Sequence, residues 1–488
     1  MENKQSIAQP SKKTFVLTSN QKKAFENFRN FISNDQIKVF ILKGYAGTGK
    51  TTLIRYFIDE ITRHDNTQYI LMASTGRAAK ILTNMTGKKA QTIHSVIYVF
   101  NDFNQDLEEV IKTEDEVGVD KTGQLFLTYI LTPIKEKKDK QIYYIVDEAS
   151  MISDTVEENP VQAQFGSGRT LSDLLEYDRG GKFIFVGDEC QLPPIGQDLS
   201  PALSVEYFEQ VLNIRAKEST LTDIVRQQLD NSIILAAQRI RQLCAEPPQV
   251  KWGKLPLGNY QHIHLHHDIA SMINDYIKLI ANHNFEAATL ISLSNTKCNN
   301  LNKLIRSALG HRNLLQEGDL LLVTQNNSIS GLMNGDMVMV EQVKNVRYQR
   351  AQLSFLLIEV RELVTGRRFS QYIIEDILYG NAPNLLPGQQ KALFIDFYRR
   401  MKQKGIKQKT TEFHEQLKSD EFLNALRCVY GYAITCHKAQ GGEWDSVFVD
   451  IPRNLTLEAR SADYQWIYTA VTRARKQLHV VNDFYISK

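Results

Sequence analysis

The apolar run Val39-Phe40-Ile41-Leu42 is short, β-branched and aromatic, the pattern of a parallel strand buried on both faces. Ahead of it, Phe25, Phe28, Phe31 and Ile32 recur at helical spacing behind Thr18-Ser19-Asn20-Gln21, which predicts an amphipathic helix. After it, Leu53 to Ile58 reads as a second helix. Tyr69–Ala73, Ile142–Val146 and Phe183–Val186 repeat the buried-strand pattern. Strands alternating with helices predict a doubly wound parallel sheet that takes its ligand at the strand C-termini. The rhythm breaks from Ile97 to Lys140, where an acidic stretch precedes the extended segment Leu125–Ile130; an inserted subdomain is expected there. A second α/β unit opens near Glu218, with strands at Thr289–Leu293, Gly431–Ile434, Val447–Asp450 and Leu478–Val481. Inside it, alternation at Met337–Val343, Leu353–Val360 and Phe369–Ile374 gives way to lysine-rich helical sequence from Gln389 to Leu426. That pattern predicts a small β-barrel with a helical excursion.

The expected organisation is therefore a disordered lead-in (1–14), a first sheet domain (15–96 and 141–217) carrying an insertion (97–140), and a second (218–331 and 428–488) interrupted by the barrel (332–427). A length of 488 residues agrees with more than one core. The net charge of +3 is close to neutral, so any basic binding surface must be local. Cys190, Cys244, Cys298, Cys428 and Cys436 form no C-x-x-C pair, which argues against a disulfide framework, a zinc ribbon or an iron–sulfur cluster. No apolar stretch is long enough to span a bilayer, and Met1 to Thr14 lacks the apolar core of a signal peptide. A cytoplasmic protein is expected, nucleoid-associated if its host is a bacterium.

The chemistry concentrates at Gly44-Tyr45-Ala46-Gly47-Thr48-Gly49-Lys50-Thr51-Thr52, between the first strand and its helix. Gly44, Gly47 and Gly49 let the backbone wrap an anion, with N–H groups of this segment, including Ala46, Thr48 and Thr52, turned towards phosphate. The helix N-terminus adds its dipole. Lys50 supplies a charge for the β- and γ-phosphates, and the Thr51 hydroxyl a ligand for Mg²⁺. Asp147 and Glu148 end a hydrophobic strand: Asp147 suits Mg²⁺, and Glu148 the proton of an attacking water. Gln191, in the loop Gly187-Asp188-Glu189-Cys190-Gln191-Leu192-Pro193-Pro194, is placed to sense the γ-phosphate or that water. ATP and Mg²⁺ are the implied ligands.

With these motifs in hand the chain resembles the superfamily 1 helicases, specifically the RecD-like and Dda-like branch. The Gly187–Pro194 loop resembles the third helicase motif. Thr92-Ile93-His94-Ser95 resembles a DNA-contacting element, and Arg226-Gln227 the fourth motif. Asn334-Gly335-Asp336 resembles the element before the inserted barrel, Tyr432 to Gly441 the fifth motif, and Tyr468 to Arg475 the sixth. The resemblance implies two RecA-like domains facing each other across ATP. Arg226 and Arg473 of the second domain would then reach the γ-phosphate, and Gly441 and Glu443 join the nucleotide set. It also implies that Gln21 bonds the adenine edge, although Thr18-x-x-Gln21 is equally a helix capping box.

Thr75, His94, Ser95, Thr435, His437 and Lys438 are the expected single-stranded DNA track. Phe126 stands where such helicases carry a strand-separating pin, and either stacks on the opening base pair or is buried in the insertion. His262, His264 and His266 alternate with no cysteine or acid among them, so a polar strand face is preferred to a metal site. The basic run Arg399 to Lys409 fits a phosphate track or a solvated helix end equally well. The expected activity is ATP-driven translocation on single-stranded DNA with unwinding of duplex, its 5′-to-3′ polarity implied by the resemblance; an RNA helicase and an ATP-switched single-strand-binding protein are the alternatives. Partner proteins in replication or repair are not legible.

Overall fold

A computed structural model describes residues 17–117, 124–133, 140–156, 162–225 and 231–487. Met1 to Thr14, with the lead-in expectation, and Arg226 with Gln227 lie outside the described residues. Val39–Gly44 sits inside a six-stranded sheet in the order Ala90–Thr92, Thr67–Ala73, Gln141–Asp147, Lys182–Gly187, Val39–Gly44, Ala216–Leu221. All its pairings are parallel. Alternate residues of the P-loop strand feed two cores, as a strand covered on both faces requires. Phe40 and Leu42 pack with Phe28, Phe31 and Phe57 of the flanking helices, while Val39 and Ile41 pack with Leu171, Leu174 and Phe208 on the other face. Phe28 and Phe57 stack at 3.8 Å between ring centroids.

The second sheet is also parallel, in the order Ile263–His266, Ala474–Val481, Trp444–Val449, Ala288–Ser292, Ala433–Thr435. An antiparallel sheet is set into this domain, ordered Arg368–Ile374, Leu353–Glu362, Met337–Arg350, Leu320–Val323, Cys428–Tyr430. Its ends approach each other where Leu426 donates to the Tyr372 carbonyl and Ile374 to the Leu426 carbonyl. The helices Pro387–Gln403 and Thr411–Ser419 form the excursion.

Three boundaries differ from the sequence expectation. Ala216–Leu221 pairs with the P-loop strand, so the second domain begins after it and not at Glu218. An edge strand has only one paired side, and its mixed Ala-Lys-Glu-Ser-Thr-Leu sequence hides it among loop residues. The insertion after Ile97 is a three-stranded sheet of Tyr98–Phe103, Leu127–Leu131 and Ala163–Phe165, so it recruits a strand from beyond residue 140. The barrel sheet uses Leu320–Val323 and Cys428–Tyr430, both outside 332–427. Their apolar character is that of either domain, and only pairing assigns them.

The two insertions share one core. Phe103, Leu107, Leu125 and Leu127 of the first pack with Phe394, Phe397, Met401 and Phe413 of the second. Gln408 ties the same junction, donating to the Asp102 carboxylate at 3.0 Å and accepting from the Leu107 N–H at 3.1 Å. Among the described residues, no helix is long and apolar enough to cross a membrane.

Candidate nucleotide cleft and strand-binding edge

The phosphate loop takes its shape from glycine. Gly47 and Gly49 have φ of 79° and 80°, and a Cβ on Gly49 would lie 2.5 Å from the Gln21 side-chain nitrogen. The helix Lys50–Ile61 starts directly behind them, so its free first-turn N–H groups face the loop's concavity. Lys50 Nζ donates to the carbonyls of Gly44 (2.6 Å) and Tyr45 (3.1 Å). Thr51 and Thr52 are half-buried in the first turn. Gln21 does two things at once: its Oε1 accepts from the Thr18 N–H, closing the capping box, and its Nε2 donates to the Thr48 carbonyl at 2.9 Å.

Asp147 and Glu148 stand at the C-terminal end of the Gln141–Asp147 strand, on the sheet edge that carries the phosphate loop. Burial and the neighbouring Glu148 charge push the Asp147 pKa up, against the pull of Lys50. Glu148 has φ 52° and ψ 41°, a left-handed conformation that a β-substituted residue adopts only when its surroundings impose it. Thr51, Asp147 and Glu148 line one cavity of about 490 Å³ between the domains, together with Gly441, Glu443 and Arg473. The Thr51 hydroxyl and Asp147 carboxylate form an oxygen-only donor set, which suits Mg²⁺.

Across the cleft, the helix Ser461–Val471 and the turn after it present Arg473. Its guanidinium is buried and donates to the backbone carbonyls of Thr469 (3.0 Å) and Gly442 (3.4 Å) and to the Thr472 hydroxyl. Gly441 has φ 73°, and a Cβ there would meet Ala78 of the first domain at 3.0 Å. Glu443 is exposed at the cavity wall.

The loop after Gly187 is clamped to that helix. Leu192 N–H donates to the Thr469 hydroxyl at 2.9 Å, Gln440 Nε2 to the Leu192 carbonyl at 3.2 Å, and Gln465 Nε2 to the Glu189 carbonyl. Between these ties Gln191 is buried, and its Oε1 has no partner among the described residues. Tyr468 makes the most direct link: its hydroxyl donates to buried Asp188 at 2.7 Å and accepts from the Ala46 N–H of the phosphate loop at 3.1 Å. Burial raises the pKa of both Asp188 and Tyr468, so this bond is made in a desolvated place. Asp188 and Tyr468 were not singled out from the sequence as site residues; a Tyr-x-x-x-Thr-Arg spacing gives no sign that the ring turns towards another domain.

The strand-track candidates gather behind the two outermost strands of the first sheet and the edge strand of the second. Thr75 caps the helix Gly76–Thr86 behind the Thr67–Ala73 strand, and Thr92 caps the short helix holding His94 and Ser95 behind the neighbouring edge strand. Ser95 is exposed, whereas His94 is half-buried against Phe165 and Tyr98, and its pKa falls. In the second sheet Thr435 caps the helix Cys436–Ala439, at the end of edge strand Ala433–Thr435. His437 and Lys438 follow. Lys438 Nζ donates to Asn334, and burial lowers its pKa to about 8. The two edges are held together by Lys80, which pairs with Asp336 (2.5 Å) and Glu362 (2.6 Å) across the domains. Phe126 lies apart from them in the first insertion, half-buried, with its backbone paired to Asn104. The three alternating histidines find protein partners: His262 bonds Ser232, His264 stacks on His479, and His266 bonds His479 at 3.0 Å.

Fold and cleft define a P-loop nucleoside triphosphatase of two facing parallel-sheet domains. Residues 16–246 match the AAA domain family and residues 430–481 the UvrD-like helicase C-terminal domain, together more than half of the chain. An uncharacterized protein of Methanocaldococcus jannaschii is 23% identical over 91% of this chain, which spans 36% of that protein's length. The ATP-dependent DNA helicase dda of Enterobacteria phage T4 is 42% identical over 83 residues, 17% of this chain and 19% of the phage protein. A crystal structure of Pif1 helicase from Bacteroides with ADP-AlF3 and ssDNA aligns over 97% of this chain and 94% of that one, at 17% identity and a TM-score of 0.49. These matches agree with the resemblance to the superfamily 1 helicases of the RecD-like and Dda-like branch.

Proposed function

We propose that this protein is an ATP-dependent DNA helicase that moves 5′-to-3′ along single-stranded DNA and separates the duplex ahead of it. The observation that carries the reading is the split cleft: phosphate loop, Asp147 and Glu148 on one sheet, Arg473 on the other, and one cavity between them. Bound Mg²⁺ would screen phosphate charge, held by Thr51 and Asp147. Lys50 binds the β- and γ-phosphates, Glu148 takes the proton of the attacking water, and Gln191 orients that water. Arg473, joined by Arg226, stabilises charge on the γ-phosphate, an effect worth about 10³–10⁵ in rate for arginine fingers. Gly44, Ala46, Gly47, Thr48, Gly49 and Thr52 cradle the phosphates, while Gln21, Gly441 and Glu443 complete the nucleotide site.

Closure on ATP draws the second domain towards the first, and release reverses it. The outer edges bearing Thr75, His94, Ser95, Thr435, His437 and Lys438 then shift relative to each other, which advances the strand. Phe126 serves the insertion that meets the duplex. Polarity is taken from the RecD-like branch, and a cytoplasmic setting is part of the same reading. The test is strand displacement on duplexes with 5′ or 3′ tails of DNA or RNA. Unwinding of 5′-tailed DNA is expected; activity confined to 3′ tails overturns the polarity, and activity confined to RNA overturns the substrate.

A further inference from the structure

Arg77, on the first-domain helix Gly76–Thr86, lines the same cavity as Thr51, Asp147 and Arg473. Its Nε is enclosed and has no hydrogen-bond partner among the described residues. The guanidinium lies over the ring of Trp444 from the facing domain, 4.2 Å from its centroid. It also presses so close to the Gly442 backbone that a Cβ there would come within 2.8 Å of the guanidinium carbon. The surrounding acids do not neutralise it directly. Asp336 is engaged with Lys80 and the Met333 N–H, and Glu286 and Glu443 are exposed at the cavity wall. Burial lowers its pKa to about 10, with Arg473 pushing the same way and Asp336 and Glu286 opposing.

Two guanidiniums therefore face one cavity, and the cation–π contact of one of them is the weaker kind of partner for a desolvated cation. A guanidinium has planar donors suited to a phosphoryl group. Arg77 is also positioned differently from Arg473, whose donors hold backbone carbonyls of its own domain. We propose that Arg77 is a γ-phosphate ligand supplied by the first domain, resting on Trp444 until a triphosphate enters; this deepens, and rests on, the reading of the cleft as an ATP site. Because the Arg77 helix begins at Thr75, the same contact joins the γ-phosphate to the strand track through a single rigid element.

The test is the affinity of the full chain for ADP and for a β,γ-imido ATP analogue with Mg²⁺, in wild type, R77M and R77K. R77M, which keeps an apolar stem and loses the charge, is expected to weaken analogue binding by about tenfold to a hundredfold, the worth of a charged hydrogen bond. ADP binding stays unchanged, and R77K recovers most of the loss. Unaltered analogue affinity in R77M, or an equal loss for ADP and analogue, overturns the proposal. Wild type that binds neither nucleotide overturns the ATP site itself. A measurement independent of any variant's folding is the Arg77 Nε–H resonance of ¹⁵N-arginine-labelled wild type. It should shift with the analogue and not with ADP, and a resonance indifferent to both overturns the assignment.

Discussion

Glu148 is held in a left-handed backbone conformation beside half-buried Asp147, and strain of that kind persists where the surroundings over-determine it. If Glu148 is the base, Glu148→Gln should retain ATP binding and lose turnover by about 10²–10⁴-fold; loss of binding, read by nucleotide titration, would make it structural. Lys50→Ala should abolish hydrolysis, and near-normal turnover would remove the phosphate-loop assignment. Lys438 offers a pH test. With its pKa lowered to about 8 by burial, it is charged at neutral pH and loses its proton as pH rises through that value. Single-stranded DNA affinity should therefore fall between neutral pH and pH above about 8. Lys438→Ala should flatten that dependence in fluorescence anisotropy, and a wild-type affinity indifferent to pH in this window would discount a phosphate contact.

At the level of elements, the helix Ser19–Ile32 ends on a buried lysine from another element. Lys182, at the start of its strand, donates to the carbonyls of Phe31 (3.1 Å), Ile32 (2.9 Å) and Asn34 (3.1 Å). A cation at a helix C-terminus satisfies orphan carbonyls and complements the dipole. Lys182→Met should fit the apolar path of the side chain but leave those carbonyls unbonded, lowering stability by about 1–3 kcal/mol in urea unfolding. An unchanged midpoint would mean that water replaces the lysine at no cost. The loop Gly187–Pro194 is the other element whose setting matters. Its ties to Thr469, Gln440 and Gln465 couple the loop that holds Gln191 to the second domain, so movement of the helix Ser461–Val471 is felt at the sheet edge that carries the phosphate loop.

For the whole molecule, the joint hydrophobic core of the two insertions is the feature with most consequence. Phe103 meets Phe394 edge-on at 5.0 Å, so the insertion carrying Phe126 is braced by the excursion of the other domain. Removing a buried phenylalanine costs about 3–5 kcal/mol locally. Phe103→Ala should uncouple the brace, reducing duplex unwinding while single-strand-stimulated ATP hydrolysis continues. Equal loss of both activities would mean that the brace serves the motor and not the separation of strands.

The parallel strands, the bend of the phosphate loop and the position of Asp147 and Glu148 at a strand end were legible in the chain because each depends on neighbours in sequence: a buried run, a glycine spacing, a strand end; Arg473 was picked out only through the family resemblance. The Ala216–Leu221 strand was not, since an edge strand's identity lies in which strand it pairs with. The same holds for Leu320–Val323 and Ala163–Phe165, recruited across the expected boundaries. Tyr468 bridging Asp188 and the Ala46 N–H, Lys80 joining Asp336 and Glu362, and Arg77 lying on Trp444 all connect residues hundreds of positions apart. Local order along the chain sets what each segment can become, because backbone preference and burial period act over a few residues. Packing of one domain against the other decides which of those segments share a cleft, because desolvated hydrogen bonds and ion pairs form only where tertiary structure brings their partners together.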